Sequence, residues 1–256
     1  MAGGVLHALM LALCAVLALG GAAAAQDAPG AREAAFIAGE TLECAGCNLE
    51  GVSFKRRNLA GADLSGAFLR EATFHKANLR GANFSGADLT IANFNRADII
   101  QANFEGATLT EALFYMASGS GANFSGAKLP DARMGDSTLI RANLEGADLQ
   151  GADLAGAKLT DARLVDAVLT RADLRNAALF RADLSGVVAE TTYFAEADLR
   201  RAVLAGATLI ESNFDMTDLG ESDLSNADLT GARMVRANLR NANLAGTRMP
   251  DGAVRP

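Results

Sequence analysis

A large apolar residue stands at every fifth position from Leu49 to Met249, and this period restricts the possible folds more than any other feature of the sequence. The phase holds over 41 successive positions, with Gly119 and Ala189 as the two exceptions. Two residues before each of these positions stands a small residue, which is Ala at 31 of the 41 places. One repeating unit therefore accounts for almost all of the chain beyond its first 43 residues.

A period of five fits neither an ordinary helix nor an ordinary strand. On an α-helix each five-residue step turns the side chain by roughly 140°, so the apolar residues would spiral around the whole surface. In a strand the side chains alternate between two faces, so an odd period would place successive apolar residues on opposite faces. Burial of every fifth residue requires the chain to turn once per repeat, so that each apolar side chain points at one central axis.

Each repeat reads as a short extended segment followed by a corner. Triplets such as Ala62-Asp63-Leu64 alternate inward, outward and inward. Two outward residues follow, and the second is often Gly, as at Gly66 and Gly86. Because Gly, Asn and Asp tolerate tight corners, these positions are predicted to be the turns.

The phenylalanines indicate how many corners complete one coil. Nine Phe residues occupy central apolar positions, in two series with steps of twenty or its multiples: Phe54, Phe74, Phe94, Phe114, Phe194 and Phe214, and Phe84, Phe104 and Phe124. Outward asparagines recur at the same interval, as stacked amide ladders do in coiled β structures: Asn83, Asn103, Asn123 and Asn143. Four repeats are therefore predicted to form one coil, with like residues stacked on like.

With this repeat, residues 44–251 resemble the pentapeptide repeat family. The resemblance implies an all-β fold, a right-handed quadrilateral β-helix (a solenoid) of about ten four-repeat coils. At the ~4.8 Å spacing of adjacent strands, the rod would be about 50 Å long.

Residues 1–25 have the composition of a signal peptide. Val5 to Leu19 is an uncharged apolar run, and Ala23-Ala24-Ala25 before Gln26 suits cleavage, although no Lys or Arg precedes the run. An uncleaved anchor or a misplaced start codon remains the alternative. Cleavage would leave a periplasmic or secreted protein that begins at Gln26 and has no stable membrane span.

The segments that flank the repeats are predicted to cover the two ends of the solenoid. In the N-terminal cap segment, residues 26–43, a short helix is expected to stop at Gly39 and to place Phe36 and Ile37 over the first coil. The C-terminal tail, residues 252–256, shows no helix. Either the tail folds over the last coil or that end pairs with another chain, which in this family would give a C-terminal homodimer.

Two cysteines follow the cap segment. In the repeat register Cys44 and Cys47 both point inward at the first coil. They are either buried inert thiols or, in an oxidising compartment, a disulfide that staples the open end. A redox or zinc site is not supported, because neither a βαβ context nor a second ligand pair accompanies them.

The interruptions of the repeat are the tentative interaction sites. Tyr115 and Tyr193 lie near Gly119 and Ala189, which suggests two dented sites flanked by aromatic residues. Alternatively, Met116 and Val188 turn inward and fill the voids. Arg57, a long cation at a small inward position, is expected at a solvated edge.

A column of outward apolar residues is a second tentative interaction site. Ile100, Ile140 and Phe180 share this column, with Arg80 and Arg200 beyond its two ends, and could form a partner-binding strip. The competing interpretation is that single exposed apolar residues are normal on protein surfaces.

Enzyme chemistry is not indicated, and we expect no catalytic residue, cofactor or metal. Beyond Gln26 the chain has one histidine, His75, and no residue forms a base–nucleophile set with it. The net charge of −7 comes from 30 acidic and 23 basic residues mixed along the chain, so we expect no nucleic acid partner.

Two function classes follow from the resemblance. One is an exported scaffold of the bacterial envelope that offers rigid faces to an unknown protein partner. The alternative is a DNA-mimicking, topoisomerase-binding protein of the quinolone-resistance type. The export signal favours the first class, as do basic residues that interrupt the acidic faces, such as Arg133, Arg163, Arg233 and Arg248.

Overall fold

A computed structural model describes residues 30–256, and within them the chain is a solenoid whose coils repeat every twenty residues. Thirty-eight parallel β-bridges each pair a residue with the one twenty positions later, from Glu43↔Asp63 to Asp228↔Arg248. Within the described part no strand is longer than such a single bridge. The predicted signal peptide, residues 1–25, lies outside the described residues.

The bridges form four rows, which define four sides of the rod. We name these sides face 1 to face 4 by the first residues of their rows: Glu43, Asn48, Ser53 and Asn58. The side chains at the bridging positions point outward, and the apolar residue that follows each of them is buried. The repeat register derived from the sequence is thus the register of the structure.

Main-chain hydrogen bonds join each coil to the next. The N–H groups of Leu64 and Gly66 donate to carbonyl oxygens nineteen residues ahead, at 2.8 Å in both cases. The N–H of Asp63 donates back to Leu42 O at 2.8 Å, and the N–H of Ala67 closes the corner by donating to Leu64 O. Four of the five N–H groups in a repeat are therefore satisfied by the main chain, as buried backbone groups require.

The fifth N–H explains why Asn and Asp dominate the outward position. The N–H of Ser65 donates to Asp63 Oδ1 at 3.1 Å, and the same side-chain-to-backbone bond recurs along the rod. On face 1 the amides also form the predicted ladder, in which Asn103 Nδ2 donates to Asn83 Oδ1 and Asn123 Nδ2 donates to Asn103 Oδ1. The outward Asn residues therefore serve the backbone and the neighbouring coil together.

Every corner places one residue in the left-handed region. All 41 residues at this position, from Gly46 to Gly246, have positive φ, and only 16 of them are Gly. A positive φ confined to the third residue of a turn is the geometry of a type II turn. Non-Gly residues pay roughly 1 kcal/mol for it, even the β-branched Ile91 (φ 59°) and Thr191 (φ 52°). The bonds between coils impose this conformation on whichever residue occupies the corner.

The interior of the rod is a stack of side chains in columns. Phe74, Phe94 and Phe114 lie parallel, with ring centroids 4.9 and 4.8 Å apart. The second column meets the first edge-on, as in the Phe84–Phe94 pair at 5.7 Å and 89°. Offset stacks and edge-to-face contacts are the favoured aromatic geometries, so both predicted Phe series contribute to packing.

The N-terminal end carries the one helix of the described residues, α1 at Ala31–Ala38, which stops at Gly39 (φ 83°). Phe36 is fully buried, and its ring lies edge-on to Phe54 at 5.6 Å. Ile37 does not share this role, because 44% of it is exposed. An eight-residue helix turns adjacent side chains by about 100°, so only one of the two can face the coil.

Arg57 connects this helix to the solenoid, and the expectation of a solvated edge was wrong. Its guanidinium donates to Ile37 O at 2.6 Å and to Phe36 O at 3.4 Å. Both carbonyls belong to the last turn of α1; Phe36 O also accepts the N–H of Gly39, whereas no main-chain N–H of the described residues outside the helix donates to Ile37 O. The cation therefore binds the C-terminal end of the helix, where its charge also favours the helix dipole.

At the C-terminal end the tail turns back on the last coil. Val254 forms an antiparallel bridge with Arg248, and the N–H of Met249 donates to Ala253 O at 2.8 Å. Within residues 30–256, no main-chain carbonyl accepts the N–H groups of Leu239 and Leu244, and both side chains are only partly buried. The last coil is thus an open edge that the tail covers in part. Among the described residues, no helix has the length and apolarity needed to cross a membrane.

Gly119, the first break in the central column, leaves no dent in the rod. A Cβ atom at Gly119 would lie 3.0 Å from Leu139 Cδ2 and 3.1 Å from Ile99 Cδ1. The neighbouring coils therefore fill this space, and the proposed role of Met116 was wrong, since 46% of Met116 is exposed. In a stacked column, the side chains of the two adjacent coils, here Ile99 and Leu139, can fill the space that a missing side chain leaves.

Ala189, the second break in the central column, is also buried, and the neighbouring Val188 does not fill the space beside it. Val188 is 37% exposed, so it does not turn inward. Buried hydroxyl groups lie beside this position: Ser212 Oγ donates to Ala189 O, and Thr192 Oγ1 donates to Leu169 O at 2.7 Å. Each hydroxyl is satisfied by a carbonyl of the preceding coil, which avoids the cost of an unpaired buried polar group.

Restoring the repeat at position 119 is expected to destabilise the protein. In Gly119→Leu the new side chain competes with Ile99 and Leu139 for occupied space, and overpacking costs about 1–3 kcal/mol. Urea unfolding of the two proteins measures the difference. Leu159→Ile, a volume-conserving change in the same column, serves as the control. A Gly119→Leu variant more stable than the parent would show that the site is a true void.

Candidate functional site

Phe180 is the centre of the most elaborate cluster of side chains on the outer surface. Its ring is partly buried beneath three guanidinium groups, with the Cζ atoms of Arg181, Arg200 and Arg201 at 4.9, 5.7 and 5.9 Å from the ring centroid. Arginine over an aromatic face is an attractive cation–π arrangement. Phe180 lies at the corner between face 4 and face 1, where the column predicted from the sequence passes.

The carboxylates around Phe180 hold these cations in place. Arg181 binds Asp161 through two bonds of 2.7 Å, Arg200 binds Asp198 through bonds of 2.7 and 2.6 Å, and Arg201 Nε donates to Glu221 at 2.8 Å. The hydrogen bonds from Arg181 and Arg200 hold the pKa values of Asp161 and Asp198 below the ordinary range. Both carboxylates therefore stay ionised through neutral pH and lose their pairs only in acid.

A groove of about 440 Å³ opens beside Phe180. Gly220 stands in the same column between Arg200 and Arg240 and lines the groove. Cations and carboxylates line the groove together: Arg200, Arg201, Arg240, Asp218 and Glu221. This mixture of charges next to an aromatic ring suits a polar protein surface better than a small apolar ligand.

Ile100 and Ile140 extend the column but do not form a continuous apolar strip with Phe180. Both are partly buried, as Phe180 is, and the polar residues Ser120 and Thr160 occupy the coils between them. Of the three residues of the predicted strip, only Phe180 is therefore part of a cluster of side chains on the surface. The cluster of guanidinium groups was missed because its members come from two successive coils, and only the twenty-residue register brings them together.

The two tyrosines are exposed but line neither of the cavities that the structure shows at Phe180 and at the C-terminal tail. Tyr193 is on face 3, four bridges along the row from Leu113, and Tyr115 is at the corner that follows Leu113. The N–H of Tyr115 donates to Asn95 Oδ1 at 2.8 Å, because Leu113 cannot supply the usual side-chain acceptor. The tyrosines thus share one side of the rod, and neither the Phe180 groove nor the cavity at the C-terminal tail is lined by Gly119 or Ala189, where the sequence suggests dented sites.

The cysteines are fully buried and joined by a disulfide in the structure. Cys44 and Cys47 belong to the first coil, and Arg32 of α1 reaches the carbonyl of Ala45 between them. The bond closes a short loop at the end of the solenoid, directly beneath the cap. Its position is structural, since neither sulfur atom is exposed.

A second charged feature lies at the N-terminal coils. Five basic side chains occupy the corner between face 3 and face 4 on three successive coils, and we call them the basic corner: Lys55, Arg56, His75, Lys76 and Arg96. Four are exposed and His75 is partly exposed. Burial lowers the pKa of His75 first, and the charges of Lys76, Lys55, Arg96 and Arg56 lower it further.

No metal centre accompanies these clusters. Among residues 30–256 no group of three His, Cys, Asp or Glu side chains is placed to hold a metal ion. His75 is surrounded by cations, which also makes it a poor metal ligand or general base. The contacts present around Phe180 are ion pairs and cation–π contacts.

His75 provides a probe of the basic corner. We expect its imidazole to titrate below the ordinary value of about 6.5, because the folded state resists adding another positive charge. In protein that begins at Gln26 it is the only histidine, so its NMR signal is unambiguous. Salt and the Lys76→Gln/Arg96→Gln variant should both raise this pKa, whereas Lys158→Gln should leave it unchanged. Titration at or above 6.5 in low salt would contradict the arrangement.

The lowered pKa of His75 also makes the stability of the protein depend on pH. Because the folded state takes up the proton less readily than the unfolded state, lowering the pH decreases the free energy of unfolding. The contribution of His75 favours folding above the unfolded pKa and is lost as the pH falls through the folded pKa.

Comparison with known proteins supports the fold described above. The sequence matches the family model described as pentapeptide repeats in eight copies, over residues 47–90, 77–114, 120–154, 147–186, 192–226 and 222–251. A comparison with proteins of curated function finds no match.

Solved structures that match this chain are also pentapeptide repeat proteins. HetL, involved in heterocyst differentiation regulation in the cyanobacterium Nostoc sp. strain PCC 7120, is 28% identical with a TM-score of 0.53, over 88% of this chain and 98% of HetL. A protein of the Arabidopsis thaliana thylakoid lumen is 30% identical with a TM-score of 0.29, over 44% of this chain and 68% of its own. QnrB1, a plasmid-mediated fluoroquinolone resistance protein, is 20% identical with a TM-score of 0.35, over 82% and 92%.

The five-residue period, the twenty-residue bridge register and the match over most of the sequence agree with one another. This chain belongs to the pentapeptide repeat family.

Proposed function

We propose that this protein is an exported, non-enzymatic scaffold of the bacterial envelope that binds a protein partner through the surface around Phe180. Its frame is a right-handed quadrilateral β-helix of about ten coils, with α1 as the N-terminal cap. The observation that carries the proposal is the Phe180 ring beneath three arginines at the edge of an open groove. Aromatic and Arg side chains dominate the binding energy of protein interfaces.

The rigidity of the solenoid supports a binding role. Each side chain of the Phe180 cluster is attached to a coil whose main chain is bonded on both sides, as in the bond from Arg181 N to Arg200 O at 3.1 Å. The guanidinium groups are further oriented by carboxylates, so little side-chain entropy is lost when a partner binds. HetL, a pentapeptide repeat protein of similar fold, is involved in the regulation of heterocyst differentiation.

Export is proposed from the sequence of residues 1–25, which precede the described part. The apolar run from Val5 to Leu19 and the Ala-x-Ala site before Gln26 motivate it. An oxidising compartment is also compatible with the bonded pair Cys44 and Cys47.

DNA mimicry is less well supported than a protein-binding scaffold. Three arginines that interrupt the acidic faces in the sequence pair with carboxylates of adjacent coils: Arg163 with Glu145, Arg233 with Asp215, and Arg248 with Asp228. These pairs neutralise the acidic positions that would have to imitate phosphates. A face of alternating signs does not present the continuous negative charge of a DNA duplex.

We further propose that a second copy of the chain can pair at the C-terminal end. Leu239 and Leu244 are partly exposed there, and their N–H groups have no main-chain acceptor within the described residues. An open edge of this kind is a template for pairing with another chain.

The test is affinity capture of the full-length protein, carrying a tag at its C-terminus, from fractionated native cells. We expect the product in the periplasmic or secreted fraction, with Gln26 at its N-terminus, and a protein partner retained after cross-linking. The variant Ile100→Ser/Ile140→Ser/Phe180→Ser should lose most of that partner, because the aromatic anchor is gone. The size of the purified product reports pairing at the C-terminal end.

The matched control is Phe68→Ser/Val168→Ser/Val188→Ser, which removes three outward apolar residues from face 2. This variant should retain the partner. A cytoplasmic product that keeps residues 1–25 and binds gyrase would contradict the proposal and favour DNA mimicry. Equal loss of the partner in both variants would show that the surface around Phe180 is not the binding site.

A further inference from the structure

We propose that the basic corner at the N-terminal coils binds the phosphate groups of anionic phospholipids at a membrane surface. The surface around Phe180 is several coils away, so the two sites are separate. Phospholipids and nucleic acids both carry phosphate groups. The inference rests on the proposed export only where it chooses phospholipids over nucleic acids as the source of those groups. The geometry of the corner itself selects an anionic partner.

The first observation is that the cations of this corner lack carboxylate partners. Elsewhere on the rod, arginines pair with carboxylates of the next coil, as Arg70 does with Asp88 and Arg80 with Asp98. Within residues 30–256, no ion pair involves Lys55, Arg56, Lys76 or Arg96. Their charge is therefore available to a bound anion.

The second observation is that these cations are stacked in register. The N–H of Arg56 donates to His75 O at 3.0 Å, and the N–H of Lys76 donates to Asn95 O at 3.1 Å, so the three coils are locked together. At the spacing of adjacent strands, Arg56, Lys76 and Arg96 span only about 10 Å. Like charges placed directly opposite each other repel, and a bound row of phosphates would remove that repulsion.

The third observation concerns the two faces that meet at this corner. Five of their six bridging residues over the same coils are uncharged, namely Ser53, Thr73 and Asn93 on face 3 and Asn58 and Asn78 on face 4, and the sixth, Asp98 on face 4, pairs with Arg80. The cap contributes carboxylates on other sides, where Glu43 begins face 1 and Glu33 accepts the N–H of Asn48 on face 2. An anion can thus approach the corner across face 3 without meeting a carboxylate at a bridging position, and the one carboxylate on face 4 is already paired with Arg80.

Charge is also segregated along the rod. Residues 51–97 hold seven Lys and Arg against three Asp and Glu, whereas residues 98–256 hold 15 against 22. Residues 26–50 hold five Asp and Glu against one Arg, so the basic region is a band across three coils, and this band is the part of an otherwise acidic surface that a negatively charged surface would attract.

A membrane fits this end of the protein better than an isolated polyanion does. The basic corner is a straight edge, which can lie along a plane of headgroups. Ile37 is exposed at the same end, and its carbonyl accepts a bond from Arg57, the residue directly after the corner's Lys55-Arg56 pair. Exposed apolar residues beside clustered cations favour the interface of an anionic bilayer.

The experiment is co-sedimentation of protein that begins at Gln26 with phospholipid vesicles. Vesicles of phosphatidylcholine with phosphatidylglycerol should bind the protein, and vesicles of phosphatidylcholine alone should not. The variant Lys55→Gln/Arg56→Gln/Lys76→Gln/Arg96→Gln should bind on the order of a hundredfold more weakly, since each cation near an anionic leaflet adds affinity. High salt should have the same effect.

The matched control is Lys128→Gln/Arg133→Gln/Lys158→Gln/Arg171→Gln, which changes the net charge equally at four exposed cations outside the corner. It should bind as the parent does. Thermal unfolding shows that both variants are folded.

Equal binding to neutral and anionic vesicles, or an equal loss in the two variants, would overturn the proposal. A duplex DNA oligonucleotide bound more tightly than the anionic vesicles, through the same four residues, would identify a nucleic acid partner instead. The vesicle assay does not depend on export, so failure of the proposed localisation and failure of lipid binding are distinguishable.

Discussion

The hydrogen bonds between coils are the interaction on which the rest of the structure depends. Each repeat donates two main-chain N–H groups to the coil ahead and one to the coil behind, as Leu64, Gly66 and Asp63 do. This pattern fixes a twenty-residue register, and the register places like side chains above one another. The Phe columns, the Asn ladder on face 1 and the inter-coil ion pairs are all consequences of it. It also requires a positive φ at every corner, at a cost that the bonds must offset.

Much of the fold could be predicted from the sequence because the repeat is local and regular. The inward and outward positions, the Phe columns and the end of α1 at Gly39 follow from spacing and from the properties of single residues. The ends and interruptions could not be predicted in the same way. The contacts of Arg57 with α1, and the closure of the space at Gly119 by Ile99 and Leu139, depend on residues twenty positions away. The residue pattern within one repeat does not predict contacts between residues of different coils.

The same limit applies to the candidate sites. The sequence showed Ile100, Ile140 and Phe180 in one column, but the arginines over Phe180 became a cluster only when two successive coils were stacked. The basic corner likewise joins Lys55-Arg56, His75-Lys76 and Arg96 from separate repeats. On this solenoid a surface cluster is formed by residues that stand twenty positions apart and are stacked on successive coils. Glycine shows the same segregation, since nine of the eleven corner residues between face 1 and face 2 are Gly. That side of the rod is therefore smooth, while the opposite corners carry the charges.

The account is tested most directly by amide hydrogen exchange, resolved by residue with NMR. It predicts slow exchange at the central apolar position of every repeat from Leu49 to Leu229, because each of these N–H groups is bonded to the next coil. Met234, Leu239 and Leu244, whose N–H groups meet no further coil in the described residues, should exchange far faster in the isolated monomer. Protection without a five-residue period, or exchange in the middle coils as fast as in the last, would contradict the inter-coil hydrogen bonds as the basis of the fold.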